Sequence, residues 1–458
     1  MALDEARAAR SRWWAVALAV ALVGGLAYAA YRQGLGAARI VLVSIAPEAG
    51  AEVWSRTPEV VLRFRGPVTA EAVQAGVRFE PAVSGQWVAE EGARVWRFVP
   101  ARPGWPRGAK VVVHVGPPVQ SSTRAHAFRI RPVLLAYLWP YTATRQVYVR
   151  DPAAGADARQ RPLTQAPHGV VAFAVAPDGQ ALVYSARNAQ GGADLWWLDL
   201  PEGPARRVLA CGEDLCDQPQ FSPDGQVAFV RTPRRGPRRV HVWDPVRDTQ
   251  QPLPAQGDAY GPLWSPRGWL AYYDQAAAAY VLWSPRAGVV ERVPNDIGEH
   301  AAWAADGRAL YHVELYEVPR SVPDIPDPRL SAHILRYDLE THAQDDLTGA
   351  WHWEDATPAA DPTGRYLAFG RKNLRAEAWT PGRQLWLFDL TRRAAYPLTD
   401  AAAYNHLGFA WAPHGRALAY VRTHQLDLSA APELWWYDLD ANHHERLLEG
   451  AYAPQWIP

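Results

Sequence analysis

Trp411-Ala-Pro-His-Gly415, running on through Arg416-Ala-Leu-Ala-Tyr420, is the stretch on which the fold turns. An aromatic residue leads into a Pro- and Gly-bearing turn, and a short apolar run ending in an aromatic leads out. The arrangement recurs as Trp264-Ser-Pro-Arg-Gly268 to Tyr272, Phe221-Ser-Pro-Asp-Gly225 to Phe229 and Val175-Ala-Pro-Asp-Gly179 to Tyr184. Trp303-Ala-Ala-Asp-Gly307 to Tyr311 and a looser Asp361-Pro-Thr-Gly364 to Phe369 are further copies. The turn glycines stand at 179, 225, 268, 307, 364 and 415, in steps of 46, 43, 39, 57 and 51 residues. Recurrence at that period marks one supersecondary unit used repeatedly. Pro fixes φ, Asp bonds backbone amides and Gly supplies the positive φ of a tight hairpin.

Outward from the turn, most units carry a second signature: Leu195-Trp-Trp-Leu-Asp199, Ile334-Leu-Arg-Tyr-Asp338, Leu385-Trp-Leu-Phe-Asp389 and Leu434-Trp-Trp-Tyr-Asp438. These apolar, aromatic runs read as a third strand closed by a turn, with a fourth ending near Leu209, Leu253, Thr399 or Leu448. Four antiparallel strands in about 45 residues is the size of a β-propeller blade. The first unit, from Val133-Leu-Leu-Ala-Tyr137 through Gln146–Asp151 to Arg161-Pro-Leu-Thr164, lacks its innermost strand. Pro454-Gln-Trp456-Ile-Pro458, at the far end of the chain, matches the missing piece. The expectation is an all-β fold: a seven-bladed β-propeller over 132–458, closed by its C-terminal strand.

These motifs resemble the TolB-type, WD-repeat-like β-propeller family and the non-catalytic propellers of prolyl oligopeptidase-like enzymes. The resemblance covers roughly 133–458. It implies an extracytoplasmic protein that binds other proteins; because the sequence ends at the propeller, no hydrolase domain is expected. The family pattern has neither the N-terminal segments described next nor seven blades.

Residues 40–131 hold no copy of the repeat. They alternate in strand fashion at Ile40–Val43, Val60–Phe64, Val77–Phe79, Val95–Val99, Lys110–Val115 and Ala127–Ile130, with sandwich-like spacing. Ile45-Ala-Pro47 with Gly50, Val60 to Pro67, and Phe98-Val-Pro100 resemble the bacterial Ig-like domains of surface proteins. The resemblance implies a spacer or adhesion module. Residues 1–12 are a polar tail, read as cytoplasmic, and 32–39 a short linker. Between them, Trp13 to Tyr31 is an uncharged run of 19 residues. As a helix it would span about 28 Å, close to a bilayer's hydrocarbon core. Trp13, Trp14, Tyr28 and Tyr31 sit at its ends. The expectation is a single-pass anchor in a bacterial cell membrane with the C-terminal domains extracytoplasmic. The rival is a cleaved signal peptide ending near Ala27-Tyr-Ala29, giving a secreted protein.

Composition narrows the function. Lys plus Arg equals Asp plus Glu at 47 each, with a pI of about 7.3, which speaks against non-specific nucleic-acid binding. No GxSxG, HExxH, P-loop or GxGxxG strand–helix motif is present. Asp438, Asp440, Asn442, His444 and Glu449 fall at calcium-loop spacing, but His443 replaces the sharp-turn Gly. No cofactor or metal is expected. Cys211 and Cys216 are the two cysteines of the chain, and in an exported protein they read as a local disulfide closing a small loop.

A four-stranded meander assigns its loops to two faces. The Pro-Asp-Gly turns share one. The strand two-to-three loops and the inter-blade loops share the other, which carries the insertions. Arg234, Arg235, Arg238 and Arg239 of blade three, Asp324 and Asp327 of blade five, and Arg371, Arg375 and Trp379 of blade six are candidate partner-binding residues there. His168, Asp217, Gln218, Tyr260, Glu299, His300, Glu354, Asp355, Asn405, His406 and Tyr452 are expected around the channel mouth on the same face. Such a ring serves ligand or peptide binding, metal or acid–base work, or structure alone. The leading expectation is a non-enzymatic scaffold engaging a protein or envelope polymer. The alternatives are a channel-mouth enzyme of glycan hydrolase or lyase type, and a purely structural surface protein.

Overall fold

The computed structural model describes residues 40–53, 58–101, 104–106, 108–121, 125–130, 133–152, 159–298, 300–327, 329–439 and 441–458. The chain forms two compact units, Met1–Arg131 and Pro132–Pro458. Among the described residues no helix is long and apolar enough to cross a membrane. The segment expected to do so, 13–31, lies outside them, as do the tail 1–12 and linker 32–39. The single-pass, membrane-anchored reading is therefore withdrawn from fold, location and partners alike.

The first unit is a two-sheet β-sandwich. One sheet runs in the order Gly85–Glu90, Val95–Pro100, Val60–Phe64, Ile40–Ala46, Val119–Gln120. The other runs Glu52–Val53, Ala125–Ile130, Lys110–Val115, Val77–Glu80. Alternation sends Leu62, Phe98, Val111, Val113 and Phe128 into one core around the fully buried Trp105, whose indole N–H donates to the Pro81 carbonyl at 2.9 Å. Helix Ala70–Gly76, capped by Thr69, and two parallel pairings, Ile40 with Val119 and Glu52 with Arg129, were not expected. What the fold shows is a sandwich, and nothing narrower.

The second unit is propeller-like: seven four-stranded antiparallel units, two pairs of which join through a single parallel bridge, Ala193 with Leu215 and Ala332 with Glu354. No sheet curls into a barrel. Six units open with the same turn. In each, the glycine amide donates three residues back, as Gly415 to Ala412 at 2.8 Å, and a second bond spans the hairpin, as Ala412 to Ala417 at 2.9 Å. The glycine φ values, from 65° to 89°, explain the residue. The third-strand aspartates cap their turns: Asp244, Asp338 and Asp389 each accept two backbone amides through Oδ1.

The first blade is completed by Tyr452–Ile457, which pairs antiparallel with Leu134–Trp139. Its grip extends both ways around the ring. The Trp456 indole N–H donates to Ala410 O of blade seven at 2.8 Å. The Gln455 amide donates to Phe173 O of blade two at 2.7 Å and accepts from Val175 N at 3.1 Å. The Trp456 contact is a repeated device: Trp303 donates to Leu263 O and Trp411 to Ala359 O. At Trp303, Trp411 and Trp456 the indole is thus a rivet to the preceding blade, whereas the buried Trp264 indole N–H makes no such bond.

Candidate functional site

The innermost strands do not run straight. Each of five carries a residue with positive φ three positions before the aromatic or its equivalent: Gln218 at 51°, Gly261 at 64°, Thr357 at 52°, Gly408 at 63° and Ala453 at 53°. Register shifts fall at the same places, so these are β-bulges. Proline follows in four, as Pro219, Pro262, Pro358 and Pro454, where a bulge leaves no ladder bond for it to break. Blade five departs further: its innermost strand is only Ala302–Trp303, and Gly298 packs against the Tyr273 ring so closely that a Cβ would sit 2.4 Å from it.

Beside the bends at Gln218, Gly261 and Ala453 lies a cavity of about 620 Å³, lined by blades one to five. Gln218, Tyr260, His300 and Tyr452 line it, as expected residues of the mouth. Gln220, Gln455, Tyr273 and Tyr280 line it too. They were missed because the strand reading gave no reason to look past the bulge. The prolines inside otherwise apolar strands were the available signal.

The remaining mouth residues are not brought to the cavity. His168 is exposed and Asp217 half-buried, with burial pushing the Asp217 carboxyl up to about 6 against the pull of Arg238. Glu299 lies outside the described residues. Glu354, Asn405 and His406 meet in one clamp on Arg383 between blades six and seven. Glu354 pairs with Lys372 at 3.1 Å and with Arg383. Asn405 Oδ1 accepts from Arg383 N at 3.0 Å, and the His406 Nδ1–H donates to Arg383 O at 2.9 Å. Burial lowers His406 to about 4, so it is neutral and structural. Asp355 is fully buried in a two-pronged pair with Arg371, at 2.7 and 2.8 Å. The expected single ring of polar residues is therefore split in two.

Arg371 is corrected with it. Its guanidinium lies within 5.0 Å of the Trp353, Phe369 and Trp386 rings and is not a docking residue. Arg238 stacks on Tyr260 at 4.3 Å and bonds Asp258, while Arg239 bonds the Gly257 carbonyl, so both tie blade three to blade four. The rest stay on the surface. Arg234 meets Glu213 at 3.0 Å, Arg235, Asp324 and Asp327 are exposed, and Trp379 is 52% exposed with Lys372 over its ring. Arg375 is half-buried. The blade-five insertion is compact, because Arg329 donates to the carbonyls of Ile325, Pro319 and Val322.

Cys211 and Cys216 form a disulfide. It closes the small loop between them and is buried among Ala174, Leu195 and Phe221 between blades two and three. Asp194 accepts the Cys211 amide at 2.8 Å, and Ser185 Oγ donates to Cys216 O at 2.6 Å. Among the described residues no three His, Cys, Asp or Glu gather to hold a metal. In the calcium-like loop, Asp440 lies outside the described residues, Asp438 caps Ala441 N and Asn442 accepts from Tyr437.

No protein-family model and no curated protein matches the chain. Solved structures do. TolB from Acinetobacter baumannii is 14% identical with a TM-score of 0.43, over 71% of this chain and 66% of its own, so the chain spans just under two thirds of it. The β-propeller domain of the Trilobed protease from Pyrococcus furiosus is 10% identical with a TM-score of 0.46, over 90% and 96%. A puromycin-hydrolyzing peptidase of Mycobacterium tuberculosis is 15% identical with a TM-score of 0.46, over 69% and 53%. With every one of these TM-scores below 0.5, the strand pairing above is what places the chain among all-β, propeller-like proteins.

Proposed function

We propose that the ring is a binding module, engaging a protein or an extended polymer on the face that carries the insertions and at the cavity. The sandwich serves as its Ig-like spacer, and the buried disulfide suits an oxidising compartment outside the cytosol. The observation that carries the reading is the chemistry of the cavity. Its described lining is amide, phenol and apolar side chain, with one imidazole and no carboxylate, Lys or Arg. Acid–base cleavage of a glycosidic or peptide bond calls for titratable groups converging on the reacting atoms. Binding calls only for shape and a few convergent polar groups.

One observation favours a purely structural ring: Arg238, Arg239, Arg371 and Arg383 on that face are spent on contacts within the ring. Capture from envelope extract separates the two. The full chain and a variant with the 319–328 and 425–431 loops shortened are compared. Loss of a specific partner in the variant is expected. Equal recovery of every partner by both chains leaves the structural reading standing.

A further inference from the structure

Gln220 is half-buried against the cavity, and among the described residues neither end of its amide has a hydrogen-bond partner. Among the described residues, neither the Tyr260 hydroxyl nor the exposed His300 ring has a hydrogen-bond partner. Gln218 spends its Oε1 on Gly261 N at 3.0 Å, which leaves its N–H₂ to donate. The free groups are an amide, a phenol and an imidazole, each able to donate and accept, plus one donor. A ligand filling this space must supply donors and acceptors of its own. The described lining itself holds no Asp, Glu, Lys or Arg to pair with a charged ligand, so a neutral one matches it best. The Tyr260 and Tyr273 rings, 5.5 Å apart and tilted, add apolar faces beside those polar groups. The volume is that of a small-molecule site, roughly 300–1,000 Å³.

A peptide is also neutral along its backbone, but it has no way to dock here as an added strand. Such docking needs a continuous edge of free N–H and C=O groups. Bulges at Gln218, Gly261 and Ala453 interrupt that edge, and Pro219, Pro262 and Pro454 remove donors from it. A ligand read through hydroxyls and ring faces has no such requirement. We infer that the cavity takes a short stretch of uncharged, hydroxyl-rich glycan, held by Gln218, Gln220, Tyr260 and His300. The inference rests on the face being a binding face.

Calorimetric titration of the full chain tests it with chitotetraose, maltotetraose and cellotetraose as neutral probes, tetragalacturonate as the charged probe and a neutral tetrapeptide as the peptide probe. At least one neutral sugar is expected to bind saturably at one site. Affinity should fall roughly tenfold in Gln220→Ala, whose side chain supports nothing else, and in Tyr260→Ala. It should hold in Tyr396→Ala, on an outermost strand. Binding of none of the neutral sugars, of tetragalacturonate alone or of the tetrapeptide alone overturns the inference, as does sugar binding indifferent to Gln220→Ala. If capture by the intact face still depends on its loops, only the glycan assignment falls. If that dependence is missing too, the binding-module reading falls with it.

Discussion

Arg371 is 6% exposed, yet it carries a full charge among three aromatic rings. Its partner Asp355 is fully buried; burial pushes that carboxyl up, and the guanidinium pulls it back. Removing one partner leaves the other charged and alone, which costs roughly 3–5 kcal/mol. Arg371→Met is therefore expected to lower stability by that amount in urea unfolding, and the double variant Arg371→Met with Asp355→Leu to recover much of it. The histidines make a second prediction. Burial lowers His241, His312 and His406 to about 4 each, whereas an unfolded histidine titrates near 6.5. Between those values the unfolded chain binds more protons, so the contribution is complete above about pH 6.5 and is lost as the pH falls toward 4. Asp217, raised to about 6, opposes this over part of the window. Thermal unfolding should show Tm falling from pH 7 to pH 5, less steeply in His406→Asn. One fully buried histidine supplies roughly 3 kcal/mol of the effect at its limit.

At the scale of the element, the hairpin was readable because its chemistry is local: a positive-φ glycine in all six copies, a φ-fixing proline in five and an Asp before the glycine in three. The third-strand aspartates were legible for the same reason. The bulges were not, because positive φ at Gln218, Thr357 and Ala453 is imposed by the curvature of the inner strand and not preferred by those residues. Nor were the buried arginines. An Arg in a loop-like stretch reads as solvated until the ring brings Asp355 or Asp258 to it from elsewhere in the chain. The mouth residues divided along the same line: Gln218, Tyr260, His300 and Tyr452 line the cavity, while Glu354, Asn405 and His406 are drawn aside by Arg383. The hairpins also allow a controlled comparison. Gly179 and Gly225 both have positive φ, 71° and 89°. An added Cβ would meet Pro458 O at 2.6 Å in the first and nothing within 4 Å in the second. Gly225→Ala should cost about 1–2 kcal/mol in urea unfolding, and Gly179→Ala measurably more, because it also displaces the chain end.

At the scale of the molecule, seven units become a ring because one of them is assembled from both ends of the propeller. Leu134–Trp139 would otherwise present an open strand edge, and Tyr452–Ile457 covers it. Trp456 and Gln455 fasten the same strand to blades seven and two. The cavity depends on this closure, since Tyr452, Ala453 and Gln455 form part of its wall. Amide hydrogen exchange on the intact chain tests the claim directly. The amides of residues 452–457 that pair with Leu134–Trp139 should exchange as slowly as those in the middle of Ala193–Asp199, an interior strand of a neighbouring blade. Exchange of 452–457 at the rate of free chain, with Ala193–Asp199 still protected, would mean that the ring is open and the account is wrong.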